Sequence, residues 1–273
     1  MSDTAAYLIS GGLVLAGGIV LAVGFHKLRR YRLIADTPTS KVRSMAMGVV
    51  EINGQARAIE KLVTPFSDTP CIYYRYEIKE YRRHTSRDSK GRTTTSYRWD
   101  TVRTGNQSTP FYCEDDTGKV WVDPDGADFM ISQHRIFYQR AGFMGSFTRI
   151  IEAFKNWDRT KTDLLDRKGW ELEEVTGDSF ISFGSTVGDR KYYEYFILPD
   201  DTLYVLGSAA SRDGAPGGVY ICKGDNEKTY IISDSSEKGL LSKIRNGVIL
   251  SFVFSVAAIT GGILLFLKFT RNL

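Results

Sequence analysis

The sequence predicts an α+β, β-rich fold: a twisted antiparallel sheet or OB-like partial barrel with one or two packed helices, flanked by two transmembrane helices. Three observations predict it. Two uncharged runs of spanning length, residues 5–25 and 247–267, stand near the two ends of the 273 residues. Between them, short aromatic or β-branched runs alternate with Gly, Asp and Pro turns, which is the pattern of a strand-rich domain. A single clear amphipathic helix interrupts those strands after Gly145.

At about 1.5 Å of rise per residue, twenty-one helical residues cross the ~30 Å hydrocarbon core of a bilayer. Asp3 and the lack of Lys or Arg before residue 5 argue against a cleaved signal peptide, so the first run reads as a retained anchor behind a short terminus, 1–4. Residues 26–46 form a basic collar and polar connector, and 47–234 form the soluble domain. Residues 235–246 form a juxtamembrane helix capped by Ser233 or Ser235, and 268–273 form a tail. Phe25, Lys27, Arg29, Arg30, Tyr31 and Arg32 beyond the first span, with Lys243, Arg245 and Lys268 around the second, have the chemistry of membrane-interface anchors. The excess of Lys and Arg on the domain side of both spans places the domain in the cytoplasm of a two-pass cell-membrane protein, with both termini outside. Small residues at four-residue spacing, Gly12 with Ala16, Gly18 with Ala22, Ala257 with Gly261 and Ala258 with Gly262, offer faces for helix pairing within or between chains.

In the domain, residues 47–52 form a strand that Asn53-Gly54 closes as a hairpin. Residues 58–63 follow, then a Pro-rich turn at 64–70, then a long strand over 71–82 with Ile72, Tyr74, Tyr76 and Ile78 on one face. Residues 84–96 contain no apolar side chain and read as an exposed hairpin tip. Over 79–103 eight Lys/Arg face three Asp/Glu, a local +5 against +4 for the whole sequence. Lys79, Arg82, Arg83, Arg87, Lys90, Arg92, Arg98 and Arg103 are therefore candidates for binding an anionic partner, a lipid headgroup or an acidic protein. The plainer alternative is a solvated hairpin whose charge is answered by the acidic run 114–128. Residues 110–114 and 119–122 form the next hairpin, and Asp123-Pro124-Asp125-Gly126 is turn chemistry without the ligand pattern of a calcium loop. A helix over 146–157 buries Phe147, Ile150, Ile151, Phe154 and Trp157 on one face and extends over 160–168. Strands follow at 170–175, 180–183, 192–198, 203–209, 219–222 and 229–232.

The chemistry is sparse. A net charge of +4 implies no nucleic-acid partner, and three separated cysteines make no disulfide framework. The sequence has no Gly-rich phosphate loop, no G-x-S-x-G elbow, no His-Glu-x-x-His and no Cys-x-x-Cys, and no cofactor is expected. His26 lies in the collar, which leaves His84 and His134 as bases. A Cys71 nucleophile, with or without His84, stays open beside its reading as a small buried hydrophobe.

The stretches Gly48-Val49-Val50-Glu51, Leu62 through Tyr74, Gly118 through Ala127, Tyr193 through Asp201 with Leu203 through Gly207, and Tyr230 through Lys238 resemble, in this order, the GIDE/mulan or beside-a-membrane domain family. Eukaryotic members are mitochondrial outer-membrane ubiquitin ligases in which two spans enclose this domain and a RING recruits the conjugating enzyme; in mulan the domain faces the intermembrane space, opposite to the charge bias here. A RING needs eight ligands for two zinc ions, and these residues hold three Cys and three His. The resemblance therefore points to prokaryotic, RING-less members with a binding, sensing or scaffold role toward membrane lipid or a protein partner. A component of a ubiquitin-like E3 system and a cryptic thiol hydrolase are the alternatives.

Overall fold

The computed structural model describes residues 3–139, 173–174, 185–211 and 218–270. Helix α1 (Asp3–Asp36) leads through a short 3₁₀ turn into strands β1 (Gly48–Ala58), β2 (Leu62–Val63), β3 (Pro70–Cys71), β4 (Tyr73–Arg87), β5 (Thr93–Ser108), β6 (Phe111–Glu114), β7 (Lys119–Val122), β8 (Asp128–Met130) and β9 (His134–Gln139). After these come β10 (Glu173–Glu174), β11 (Arg190–Ile197), β12 (Thr202–Ser211), β13 (Val219–Cys222), β14 (Ile231–Ser233) and helix α2 (Glu237–Thr270).

Five strands close a barrel in the order β1-β6-β7-β13-β12, with β12 returning to β1. All of its pairings are antiparallel except β7 with β13. Taken as strands one to five in chain order, the ring runs 1-2-3-5-4 with one parallel pair, which is OB-type connectivity. Alternating side chains fill the interior: Val50, Ile52 and Ala56 from β1, Phe111 and Cys113 from β6, Val120 and Val122 from β7, Leu203 and Val205 from β12. Closure removes the exposed edges that an open sheet of this size would carry.

Asn53-Gly54 does not turn the chain; β1 runs straight through it, paired with β12 and then β6. A Cβ at Gly54 would stand 2.6 Å from the Glu114 carbonyl oxygen and 2.8 Å from Cys113 Sγ. Glycine is there because two strands approach closely, the other common use of glycine in a strand.

A second sheet, β10-β9-β11-β4-β5, is built from insertions into the barrel's first and third connections. Its inner face carries Tyr74, Tyr76, Ile78, Phe137, Tyr192 and Phe196, packed with Phe66 and Cys71. The turn at 64–70 folds around the carboxylate of Glu194, which is 0 % exposed and accepts hydrogen bonds from the Phe66 amide at 2.8 Å and from the Ser67 hydroxyl. The basic hairpin is a β4–β5 ladder with one register shift between Ile78 and Lys79, and its tip lies at 88–92. The helix expected over 146–168 and the strand over 180–183 lie outside the described residues, and of 170–175 only β10 is described.

The two apolar helices pack antiparallel to each other. Their shared face is spaced by seven residues: Ser10, Gly17 and Gly24 are buried on α1, and Val248, Ser255 and Gly262 on α2. A Cβ on Gly17 would come within 3.2 Å of the Ser255 carbonyl, and one on Gly262 within 3.0 Å of the Ser10 carbonyl. Among the four glycines expected at four-residue spacing, Gly12, Gly18 and Gly261 have nothing within 4 Å of a built Cβ, and Gly262 makes a close approach. Seven residues make nearly two full turns, so this spacing keeps one face on a partner along the helix. Leu8, Leu15, Ile19, Leu250, Phe254 and Leu264 point outward, and each helix is long and apolar enough to cross a membrane.

Gly54→Ala is expected to lower unfolding stability by about 1–3 kcal/mol, the usual cost of overpacking a tight site. Chemical denaturation of the full chain in detergent measures it, and unchanged stability would contradict the close approach at Gly54.

Candidate functional site

Two regions concentrate charged and aromatic groups: the junction where the helices meet the barrel, and the outer face of the second sheet.

At the junction, β12 is buried on both sides, which explains its near-continuous apolar sequence Leu203-Tyr204-Val205-Leu206. Leu203 and Val205 point into the barrel, whereas Tyr204 and Leu206 point outward against Ile34 of α1, Leu240 of α2 and Ile231 of β14. Helix α1 continues to Asp36, so the stretch from Arg32 expected to be a polar connector begins as helix. Ser236 caps α2, its hydroxyl accepting from the Gly239 amide at 3.3 Å. Ser233 and Ser235 do not serve as the cap, because the Ser233 hydroxyl donates to the Met130 carbonyl at 2.7 Å and accepts the Ser235 amide. Two residues before the cap, the Asp234 carboxylate accepts the amides of Ser132 and Gln133, both at 2.8 Å, and the Ser132 hydroxyl at 2.9 Å. That clamp ties the entry of β9 to the root of α2.

The expected interface anchors divide by partner. Arg29 reaches Glu227, between β13 and β14, at 3.1 Å, and Arg30 reaches Asp128 at the start of β8 at 2.5 Å. Lys27 donates to Ser251 of α2 at 3.4 Å, and Phe25 meets Phe252 edge to face at 5.3 Å. Tyr31 is half-buried, and Arg32, Lys243, Arg245 and Lys268 are exposed. The acidic run 114–128 thus meets α1, its connector and β1, with Lys41 on Asp116 at 2.5 Å and Arg57 of β1 on Glu114 at 2.5 Å. The expectation that it answers the basic hairpin is corrected.

The hairpin instead answers much of its own charge. Glu80 takes Arg82 at 2.9 Å and Arg190 of β11 at 2.5 Å. Partial burial opposes the charged form of Glu80, but those two guanidinium groups outweigh it and hold the carboxyl below its usual range. Asp100 takes His84 at 2.5 Å and Arg98 at 3.0 Å. Arg83, Arg87, Lys90 and Arg92 are exposed near the tip, and Arg103 is half-buried opposite Ile78.

Cys71 lies in the apolar cluster beneath the second sheet, 0 % exposed, and burial pushes its thiol up to about 12. His84 is held by Asp100. Cys71 therefore packs as a small hydrophobe, without the open electropositive surroundings that a thiolate nucleophile needs. His134 Nδ1–H donates to the Ser132 carbonyl at 2.8 Å, and its ring lies 5.4 Å from that of Tyr195. Among the described residues no group of His, Cys, Asp or Glu is arranged to hold a metal ion.

Sequence reading missed the outer face of the second sheet. Alternation along β4 was visible, but which strands lie beside it was not. Register places Arg75 beside Tyr195, Glu77 beside Tyr193 and Lys79 beside Lys191. The Arg75 guanidinium sits 4.5 Å from the Tyr195 ring centre, Lys79 Nζ 5.0 Å from Tyr193 and Lys191 Nζ 4.4 Å from Trp99. Such cation–ring contacts hold a charge in place at the surface.

Glu51 sits beneath the junction, 0 % exposed, accepting from Thr39 Oγ1 at 2.6 Å and Tyr204 Oη at 2.8 Å. Burial raises its carboxyl above the ordinary 4.5 in spite of these two donors. A raised native value means that this contribution to stability is complete below about 4.5 and is lost as pH rises through the native value. Glu51→Gln removes that slope, so the stability of the variant relative to the native chain is expected to grow as pH rises above 4.5. Thermal unfolding across pH checks this, and parallel curves would contradict it.

Searches of the curated proteins and of the solved structures find no match. A family model described as GIDE, E3 Ubiquitin ligase, matches residues 80–266. That stretch begins within β4 and ends within α2, covering most of the second sheet, the later barrel strands and the junction. The chain belongs to the GIDE family.

Proposed function

We propose that the protein is a two-pass membrane protein whose barrel domain is a binding, sensing or scaffold module held against the bilayer. The observation that carries this reading is the junction, where both apolar helices are seated on the outer face of β12 and β14 rather than tethered by loose linkers. The apolar run of α1 ends at Phe25, and the helix continues through residues 26–36; α2 begins with residues 237–246 before its own run. At ~1.5 Å per residue, these extensions are helical stalks of roughly 15 Å. The headgroup layer is about 5–8 Å deep on each side, so the barrel sits just above it. Arg29, four residues past Phe25, lies about 6 Å beyond the hydrocarbon, and the Glu227 loop that it reaches lies at headgroup depth.

The Lys/Arg excess on the domain side supports a cytoplasmic domain in a cell membrane. The protein is expected to stay with membranes through high-salt and alkaline washes and to leave only with detergent. Half-buried Cys222 is expected to take a membrane-impermeant thiol reagent only after cells are opened. Release without detergent would defeat the membrane reading, and labelling in intact cells would reverse the sidedness.

The family description favours a second reading, a membrane adaptor for a ubiquitin-like ligase system. The three Cys and three His of these residues are too few for a two-zinc RING, so residues 1–273 do not themselves supply one. Purification of the full chain from detergent-solubilised membranes without any ubiquitin-like conjugating or ligase component would count against it.

A further inference from the structure

The β4–β5 hairpin outruns its sheet. Strand β11 pairs with β4 only over residues 73–80. The last contacts on that side are the Tyr81 amide on the Asp189 carbonyl and the Gly188 amide on the Tyr81 carbonyl, both at 2.9 Å. Beyond Tyr81, among the described residues, β4 is paired with β5 alone. A two-stranded ribbon standing by itself is marginally stable in water. Residues 82–87 therefore carry an open strand edge on the side where β11 stops, roughly 20 Å long at about 3.3 Å per residue.

Alternation decides what that edge presents. In an antiparallel ladder the N–H and C=O of successive residues point to opposite edges. Tyr81 points both groups toward β11, and Asp88, at the other parity, gives its amide to the Arg92 carbonyl across the hairpin at 2.9 Å. No register shift falls between them. Arg83, Thr85 and Arg87 therefore aim their amides and carbonyls at the open edge, and their side chains share one face of the ribbon. All three are exposed, and among the described residues no carboxylate pairs with Arg83 or Arg87. The hairpin's own acids are engaged elsewhere. Glu80 holds Arg82 and Arg190, Asp100 holds His84 and Arg98, and Asp88 shapes the tip by accepting the Lys90 and Arg92 amides.

We infer that the open edge of β4 over residues 82–87 is a docking strand for an extended acidic segment of a protein partner. The segment pairs with the amides and carbonyls of Arg83, Thr85 and Arg87 and sets carboxylates opposite the two arginines. Main-chain bonds supply the affinity of such strand addition, and alternate side chains supply its selectivity. A second copy of the hairpin does not fit, because it would set the same cations against each other. A lipid headgroup answers the arginines but brings no extended row of amides and carbonyls to complete the edge. The inference rests on the binding-module reading and names the chemistry of the partner; it does not depend on how the hairpin stands to the bilayer.

The test uses the full chain in non-ionic detergent and a dye-labelled eight-residue peptide alternating Glu and Val, read by fluorescence anisotropy. Glutamates two residues apart match the period of the edge. Saturable binding is expected, weakened up to about fivefold per arginine in R83Q and R87Q and kept in R83K/R87K. Binding should be lost when the peptide is N-methylated at each glutamate, which keeps its charges and removes its in-register amides. The R83E/R87E chain is expected to prefer the matching Lys-Val peptide. No binding by the native chain, or undiminished binding by a folded R83Q/R87Q chain or of the N-methylated peptide, overturns the site. So does capture of phosphatidylglycerol vesicles through Arg83 and Arg87 with none of the peptide, which assigns the hairpin to lipid. None of these failures touches the membrane reading, which extraction with and without detergent decides.

Discussion

The contact on which the architecture depends is the burial of Ile34 and Leu240, from two different helices, against Tyr204, Leu206 and Ile231 on the outside of the barrel. Fully burying an aliphatic side chain contributes about 1.5–3 kcal/mol. The Arg29–Glu227 pair, with 78 % of the arginine side chain exposed, contributes about 0–1 kcal/mol as a surface ion pair. Packing holds the helices to the barrel, and the ion pairs set register. This is why β12 and β14 are apolar on both faces while most barrel strands alternate.

The second sheet depends on the same region. Its β9 begins beside the Asp234 clamp, and its β4 begins where Tyr73, in the barrel core, stacks on Phe129 at 3.7 Å. One residue on, Tyr74 has passed into the other core. The two cores are therefore continuous through the backbone of 72–74, and the 64–70 turn is fixed by a buried carboxylate from β11. Two stretches far apart in sequence, around Ser67 and around Glu194, were each visible as part of a family pattern. Their meeting gives that pattern a physical reason, since a buried carboxylate requires donors.

What the sequence made legible followed from local rules. The two long apolar helices announced themselves by length and lack of charge, and the β6–β7 hairpin by Asp115-Asp116-Thr117-Gly118, where Asp115 accepts the amides of Thr117 and Gly118. The closed ring was anticipated only as an OB-like partial barrel, because closure rests on β12 returning to β1 about 150 positions away. Asn53-Gly54 misled because glycine serves turns and close strand approaches alike. The helix face was sought at four-residue spacing, yet Ser10, Gly17 and Gly24 repeat at seven. The destination of the acidic run and the Lys79–Lys191 pairing depend on long-range register, which neither composition nor periodicity carries.

Rigid seating of the barrel on the helix pair is tested most directly by pulsed electron paramagnetic resonance. Spin labels would be placed at exposed Thr117 on the β6–β7 turn and exposed Ser242 on α2, in a Cys222→Ser chain reconstituted in bilayers. A single narrow distance distribution, the same in neutral and anionic lipid, is the expected result. A broad or multiple distribution would mean that the domain swings on its stalks, and the junction would lose its role.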